Sequence, residues 1–232
     1  MKLLIVASLA SAIAALPRED IFGSQMPPHL APAAPPATTA PGTATAQTSF
    51  GTLEGLLVPT TMADPATLVE FYGGVPFAEP PTGANRFADT VDWSAPYDGG
   101  SWNATAFGNQ CLQMNAFIKP PAPIGDEDCL YLNIWRPAGT KAGDNLPVLF
   151  FIHGGAFVIG SGSLTGYWGA NLAAAHNAIV VTTNYRLGAL GFMAFEGDTA
   201  GSTLANFGLR DQTSALRWAQ AQLPRWPALL QS

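Results

Sequence analysis

Charge is scarce in this chain. Of its 232 residues only 11% are Asp, Glu, Lys or Arg; 16 acidic residues face 10 basic ones, and the formal net charge is −6. So little positive charge argues against nucleic acid or an anionic membrane surface as partner, because both are bound through clustered Lys and Arg. Cysteine is nearly absent: Cys111 and Cys129 are the only two. Beyond the N-terminus no stretch is long and apolar enough to span a bilayer, so no transmembrane anchor is expected. Internal repeats are missing as well.

What is present starts with "MKLLIVASLASAIAALPRED". Lys2 is a minimal positive region, Leu3 to Ala15 is apolar but short, and small residues around Ala12 to Ala14 offer a cleavage site. Residues 1–15 therefore read as a secretory signal peptide, and the protein as secreted and extracellular. In such a chain an even cysteine pair is expected to be bridged, the alternative being two independent buried thiols. A bridge between positions 111 and 129 would be worth about 3 kcal/mol by chain entropy. Asn103 opens the triplet Asn-Ala-Thr, a glycosylation acceptor by pattern. Residues 16–48 are rich in Pro, Ala and Thr and read as an extended, O-glycosylatable linker, because they cannot bury enough apolar surface to offset ordering entropy.

The ordered part is expected over 49–223. "SFGTLEGLLV" reads as a strand pair about a Gly turn, and "LVEFYGGVPFAEPP" as a strand running into a Pro-rich turn. "CLYLNIWRP" alternates Leu130, Leu132 and Ile134 with Tyr131, Asn133 and Trp135. Val148 to Ile152 in "PVLFFIHGGAF" is an apolar run typical of a strand covered on both faces, and two glycines follow its His153. "GYWGANLAAAHNA" has helical spacing, "AIVVTTNYRL" reads as a strand, and "NFGLRDQTSALRWAQAQL" as a helix capped by Asn206. In that last helix Leu209, Leu216 and Leu223 would share the apolar face. Strands alternating with helices predict an α/β domain with a mostly parallel central sheet.

Taken together, "YGGVPFAEPPTGANRF", "DEDCLYLNIWRP", "PVLFFIHGGAF", "VTTNYRLGALGF" and "NFGLRDQTSALRWAQ" resemble the type-B carboxylesterase/lipase family, the group that also holds the cholinesterases. The match runs from about Phe50 to Gln220. The resemblance implies an α/β-hydrolase fold and a serine carboxylic ester hydrolase, acting in the full-length relative on a small-molecule or lipid ester, with no cofactor and no metal. It implies that the backbone N–H groups of Gly155 and Ala156 form an oxyanion hole, with Gly154 shaping the turn. It also implies a Cys111–Cys129 disulfide and two structural ion pairs, Arg86 with Glu127 and Arg186 with Asp211. His153 precedes the place of the nucleophile and is therefore not the triad base, since the chain order is nucleophile, acid, histidine; holding the loop through ring hydrogen bonds suits it better. His29 falls in the linker and His176 at a helix end. Phe157, Tyr167 and Trp168 either line the near side of a substrate gorge or pack in the core.

Some of the family pattern is not there. No serine has glycines both two before and two after it, so the nucleophile elbow G-x-S-x-G is missing, and the acid and histidine of the triad with it. The reading is thus an N-terminal half of the fold, truncated before the elbow and inactive as it stands. A non-catalytic cholinesterase-like binding or adhesion module is the alternative. Residues 224–232 read as an aberrant tail, Pro224 and Pro227 stopping the helix where relatives continue it. A frameshift, a retained intron, a misassigned gene end or a genuine short isoform would each produce such an ending.

Overall fold

The computed structural model describes residues 3–7, 42–61, 67–115, 121–141, 143–196 and 203–225. The strands are, in chain order, β1 (Leu3–Ala7), β2 (Gly42–Thr48), β3 (Gly51–Pro59), β4 (Leu68–Pro76), β5 (Ser101–Asn103), β6 (Gln113–Asn115), β7 (Ala122–Ile124), β8 (Tyr131–Pro137), β9 (Val148–Ile152), β10 (Ile179–Thr183), β11 (Phe195–Glu196) and β12 (Thr203–Leu204). Among the described residues three α-helices accompany them: α1 (Ala170–His176) between β9 and β10, α2 (Gly188–Phe192) after β10, and α3 (Phe207–Gln222). The main sheet runs β1-β9-β10-β8-β4-β3-β2, with β5 added beside β3; β6 with β7 and β11 with β12 form small ribbons.

Pairing in this sheet is mixed rather than mostly parallel. β1 with β9, β9 with β10 and β3 with β5 are parallel, whereas the run from β10 through β8, β4 and β3 to β2 is antiparallel. The reason lies in the connections. A parallel neighbour needs a long crossover, which α1 supplies between β9 and β10, while a short turn such as Ser49-Phe50 folds β2 back onto β3 as a hairpin. Gly42–Thr48, expected to end the linker, is already strand β2.

Both faces of the central strands are covered. On β8, Leu132 and Ile134 enter one core with Phe150, Val181, Ala215 and Trp218, while Trp135 turns to a second core with Phe71, Ala170, Ala173 and Val180. Period-two alternation thus feeds two layers, α3 packing over one face and α1 over the other. α1 reaches the sheet closely because Ala170 and Ala173 are its buried residues, and Asn177, at φ 46°, ends it in the left-handed conformation.

α3 departs from the expected stripe at Leu209: Leu223 is buried in the core and Leu216 packs against it. Phe207, Asp211, Ser214, Ala215, Trp218, Ala219 and Gln222 face inward, whereas Leu209 is 44% exposed. The core face must admit the buried Asp211, and that turns Leu209 to solvent. Asn206 sits at the N-cap with φ 59° and makes no side-chain cap bond; its carbonyl accepts from the N–H groups of Leu209 and Arg210.

β4 and β8 carry an ion pair that the sequence reading missed. Glu70 and Arg136 lie directly opposite in register, and Arg136 Nε donates to Glu70 Oε2 at 2.5 Å. The Tyr72 hydroxyl donates to the same oxygen at 2.7 Å. Strand register alone places these groups together, and register is not written locally in either segment.

Candidate functional site

The strand β9 ends at Ile152, and the next residues form a loop over the carboxyl end of the sheet. Carboxyl ends of parallel strands are where open α/β sheets take their ligands. Gly155, Ala156 and Phe157 have φ of 122°, 53° and 62°, three successive positive values. For Ala156 and Phe157 such a conformation costs about 1–3 kcal/mol each and persists only where the surroundings enforce it. At Gly155 glycine is obligatory, because a Cβ there would lie 1.8 Å from the Ile159 carbonyl oxygen. Among the described residues the N–H groups of Gly154, Gly155, Ala156 and Phe157 donate to no acceptor, while the Gly155 carbonyl receives the N–H groups of Val158 and Ile159 at 3.0 and 3.1 Å. Neighbouring unpaired N–H donors in a fixed turn form an anion-binding concavity.

The loop is held from several sides. Gln113 clamps Gly160, its Nε2 donating to the Gly160 carbonyl and its Oε1 accepting the Gly160 N–H, both at 2.8 Å. The Gly188 N–H donates to the Phe157 carbonyl at 2.7 Å. The Tyr185 hydroxyl donates to the His153 carbonyl at 3.0 Å, and the two rings stack with centroids 4.4 Å apart. Asn184 accepts the Gly162 N–H at 2.9 Å. Gln113 and Asn184 escaped the sequence reading. No local pattern marks Gln113, since its partner lies 47 positions away.

His153 is buried at 2% exposure, and its Nδ1 lies 2.9 Å from the Gly154 carbonyl oxygen, so Nδ1 carries the hydrogen. Its Nε2 has no partner among the described residues. Burial drives its pKa down to about 4, against the smaller upward pull of the Gly154 carbonyl. The ring is therefore neutral near pH 7, and among the described residues no serine is hydrogen-bonded to it. Ser161 and Ser163, in the "GSGS" stretch, are buried and bond to each other at 2.7 Å, with Ser161 also bonded to Asn184. These hydroxyls serve the loop's own structure.

The remaining expected residues fall around this loop. Cys111 and Cys129 are joined by a disulfide. Arg186 and Asp211 form a buried bidentate pair, Nη2 to Oδ1 at 2.8 Å and Nε to Oδ2 at 2.9 Å, and the Arg186 N–H adds a third bond to Asp211. Arg86 and Glu127 form a second bidentate pair at 2.6 and 2.7 Å, with the Arg86 side chain 46% exposed. Asn103 is exposed at the end of β5, its Oδ1 accepting from the Thr105 N–H and hydroxyl. Trp168 packs against Phe71, Phe107 and Trp135, which makes it core rather than gorge lining. Tyr167 rests on Phe151, and Phe157 stands half-exposed beside Phe192. His176 is exposed at the end of α1; His29 lies outside the described residues. No helix among the described residues is long and apolar enough to cross a membrane.

Comparison with known proteins gives this arrangement a context. The carboxylesterase family profile matches residues 42–226. Human cocaine esterase is 41% identical over 163 residues, covering 67% of this chain and 28% of that protein. Human bile salt-activated lipase is 40% identical, covering 67% of this chain and 20% of its own length. Zebrafish (Danio rerio) acetylcholinesterase is 37% identical over 76% of this chain and 28% of its own. Among solved structures, PNB esterase superposes with a TM-score of 0.61 at 36% identity, over 78% of this chain and 34% of its own. The chain thus spans between 20% and 34% of each of these proteins. The chain belongs to the type-B carboxylesterase family with an α/β-hydrolase fold.

Proposed function

We propose that this chain supplies the oxyanion-binding part of a secreted serine ester hydrolase. The observation that carries the reading is the loop after β9, whose N–H groups at Gly154 to Ala156 find no acceptor among the described residues and are held by a strained, many-sided clamp. Gly155 and Ala156 donate to the oxygen that becomes negative in the tetrahedral intermediate, and Gly154 shapes the turn. Fixed donors of this kind act without reorganising and are worth about 3–4 kcal/mol of barrier each. The substrate class is a small-molecule or lipid ester, in keeping with the esterases and lipases it resembles.

These 232 residues hold no G-x-S-x-G. A hydroxyl without an adjacent base is a weak nucleophile at neutral pH, so the chain alone hydrolyses no ester above background. The leader at residues 1–15 and the exposed Asn103 support secretion with an N-linked glycan at Asn103.

A chimera tests the catalytic reading. Residues 42–222 replace the matching part of PNB esterase, whose remaining length carries the rest of the fold, and p-nitrophenyl esters report the rate. Activity is expected in the chimera, falling about 10²–10³-fold with Gly155→Pro, which removes one donor. A folded Gly155→Pro chimera with undiminished kcat would overturn the assignment. The unfused chain is expected to stay at background; a rate blocked by a serine-reactive organophosphate would show that one of its own serines is a nucleophile.

A further inference from the structure

The loop after β9 closes on itself. The Gly155 carbonyl receives the N–H groups of Val158 and Ile159. Gly160 then packs back onto the residues that open the loop. Its φ is 123°, and a Cβ on it would lie 2.5 Å from the Gly154 carbonyl oxygen and closer still to His153 Nδ1. Whatever fixes Gly160 therefore limits where Gly154 and Gly155 can sit.

Gly160 is fixed by the carboxamide of Gln113. The Gln113 Nε2 donates to the Gly160 carbonyl at 2.8 Å and to the Cys111 carbonyl at 3.0 Å, while Oε1 accepts the Gly160 N–H at 2.8 Å. One side chain thus engages both polar backbone groups of one residue. A primary amide offers donor and acceptor in a single plane, whereas a carboxylate only accepts and a thioether does neither well. Gln113 is itself anchored. It pairs with Ile124 across the β6–β7 ribbon, and Cys111, two residues before it, is bridged to Cys129 at the foot of β8. The clamp joins the loop to a segment that is covalently fastened to the sheet.

We propose that Gln113 is a positioning residue for ester hydrolysis: it sets the placement of the Gly155 and Ala156 donors by closing their loop at Gly160. The inference rests on the oxyanion reading of this loop and adds the residue that holds it in register. Gln113 acts through Gly160 and not on the substrate. Donors that drift by about 1 Å can cost about 10²-fold in rate, so holding them still is part of the catalytic effect.

Hydrogen exchange on the 232-residue chain reads the clamp without any chemistry. Gln113→Glu keeps the shape and removes the donor; Gln113→Met keeps the length and removes both polar groups. In both variants the amides of Val158 and Ile159, which bond Gly155 and not Gln113, should exchange about tenfold faster, as loss of roughly one hydrogen bond allows. Amides of β8 and β10 should keep their wild-type rates. Wild-type exchange at Val158 and Ile159, acceleration confined to Gly160, or an equal acceleration across β8 and β10 would each overturn the inference. The last two would reduce Gln113 to a partner of one residue or to a general contributor to stability. The PNB esterase chimera reads the catalytic side. There Gln113→Glu should lower kcat about 10–10²-fold with KM little changed. A raised KM with unchanged kcat would also overturn the inference. A chimera that loses activity with Gly155→Pro and none with Gln113→Glu overturns this inference alone, whereas one indifferent to Gly155→Pro overturns the oxyanion reading beneath it.

Discussion

Beyond Ile152 the backbone passes through three positive-φ positions, and among the described residues the N–H groups of Gly154 to Phe157 find no acceptor. Beyond Thr183, on the neighbouring strand, almost every polar group is engaged. The Asn184 N–H reaches the Tyr131 carbonyl, and its side chain bonds Ser161, Gly162, Asn109 and Cys129. The Tyr185 hydroxyl holds His153, and Arg186 bonds Asp211, Thr90 and the Ala88 carbonyl. The contrast shows how a loop can keep free donors in place. The turn after β10 spends its hydrogen bonds holding the turn after β9, which can then leave its own unmade.

The largest effect should come from breaking the holding side. Asp211→Ala leaves Arg186, 3% exposed, without its carboxylate. An uncompensated buried charge costs about 3–5 kcal/mol. The expectation is a denaturant midpoint lowered to match, with soluble yield falling in step; an unchanged midpoint would show that water reaches the guanidinium.

His153 sharpens the comparison through pH. Its folded pKa of about 4 lies below the ordinary value of 6.5. Between these values the unfolded chain binds a proton that the folded one does not, so stability falls as pH drops from about 6.5 toward 4 and is kept above that window. The full loss is on the order of 3 kcal/mol. Denaturation series at pH 7 and pH 4.5 check it, with His153→Gln expected to flatten the slope; an equal slope in that variant would remove His153 from the account.

Gly155→Ala attacks the receiving side. The added Cβ meets the Ile159 carbonyl and a φ of 122°. Strain of about 1–3 kcal/mol should lower the melting temperature, and the Val158 and Ile159 amides, which bond Gly155, should exchange faster. Slow exchange at both would mean that the turn tolerates a side chain.

The smallest effect belongs to Tyr185→Phe, which keeps the stack on His153 and deletes the bond to its carbonyl. A loss of about 1 kcal/mol is expected in equilibrium denaturation. A loss as large as that of Asp211→Ala would mean that the hydroxyl carries more of the loop than a single bond accounts for.

The sequence alone determined what rests on local periodicity and steric need. Val148 to Ile152 form a strand because five apolar β-formers can be buried on both faces, and the turn follows because Gly154 and Gly155 permit it. The cysteine pair and the ion pairs of Arg86 and Arg186 were legible through motifs that carry their partners in fixed company. Tertiary structure alone decided the mixed pairing of the sheet, the Glu70–Arg136 pair, the Gln113 clamp and the buried stripe of α3 around Asp211. It also decided that Leu3–Ala7 lies against β9. The physical reason is common to all of these. Each depends on which distant segments are brought side by side and in which register, and the free energy that selects a register is shared among strands, so no one of them states it.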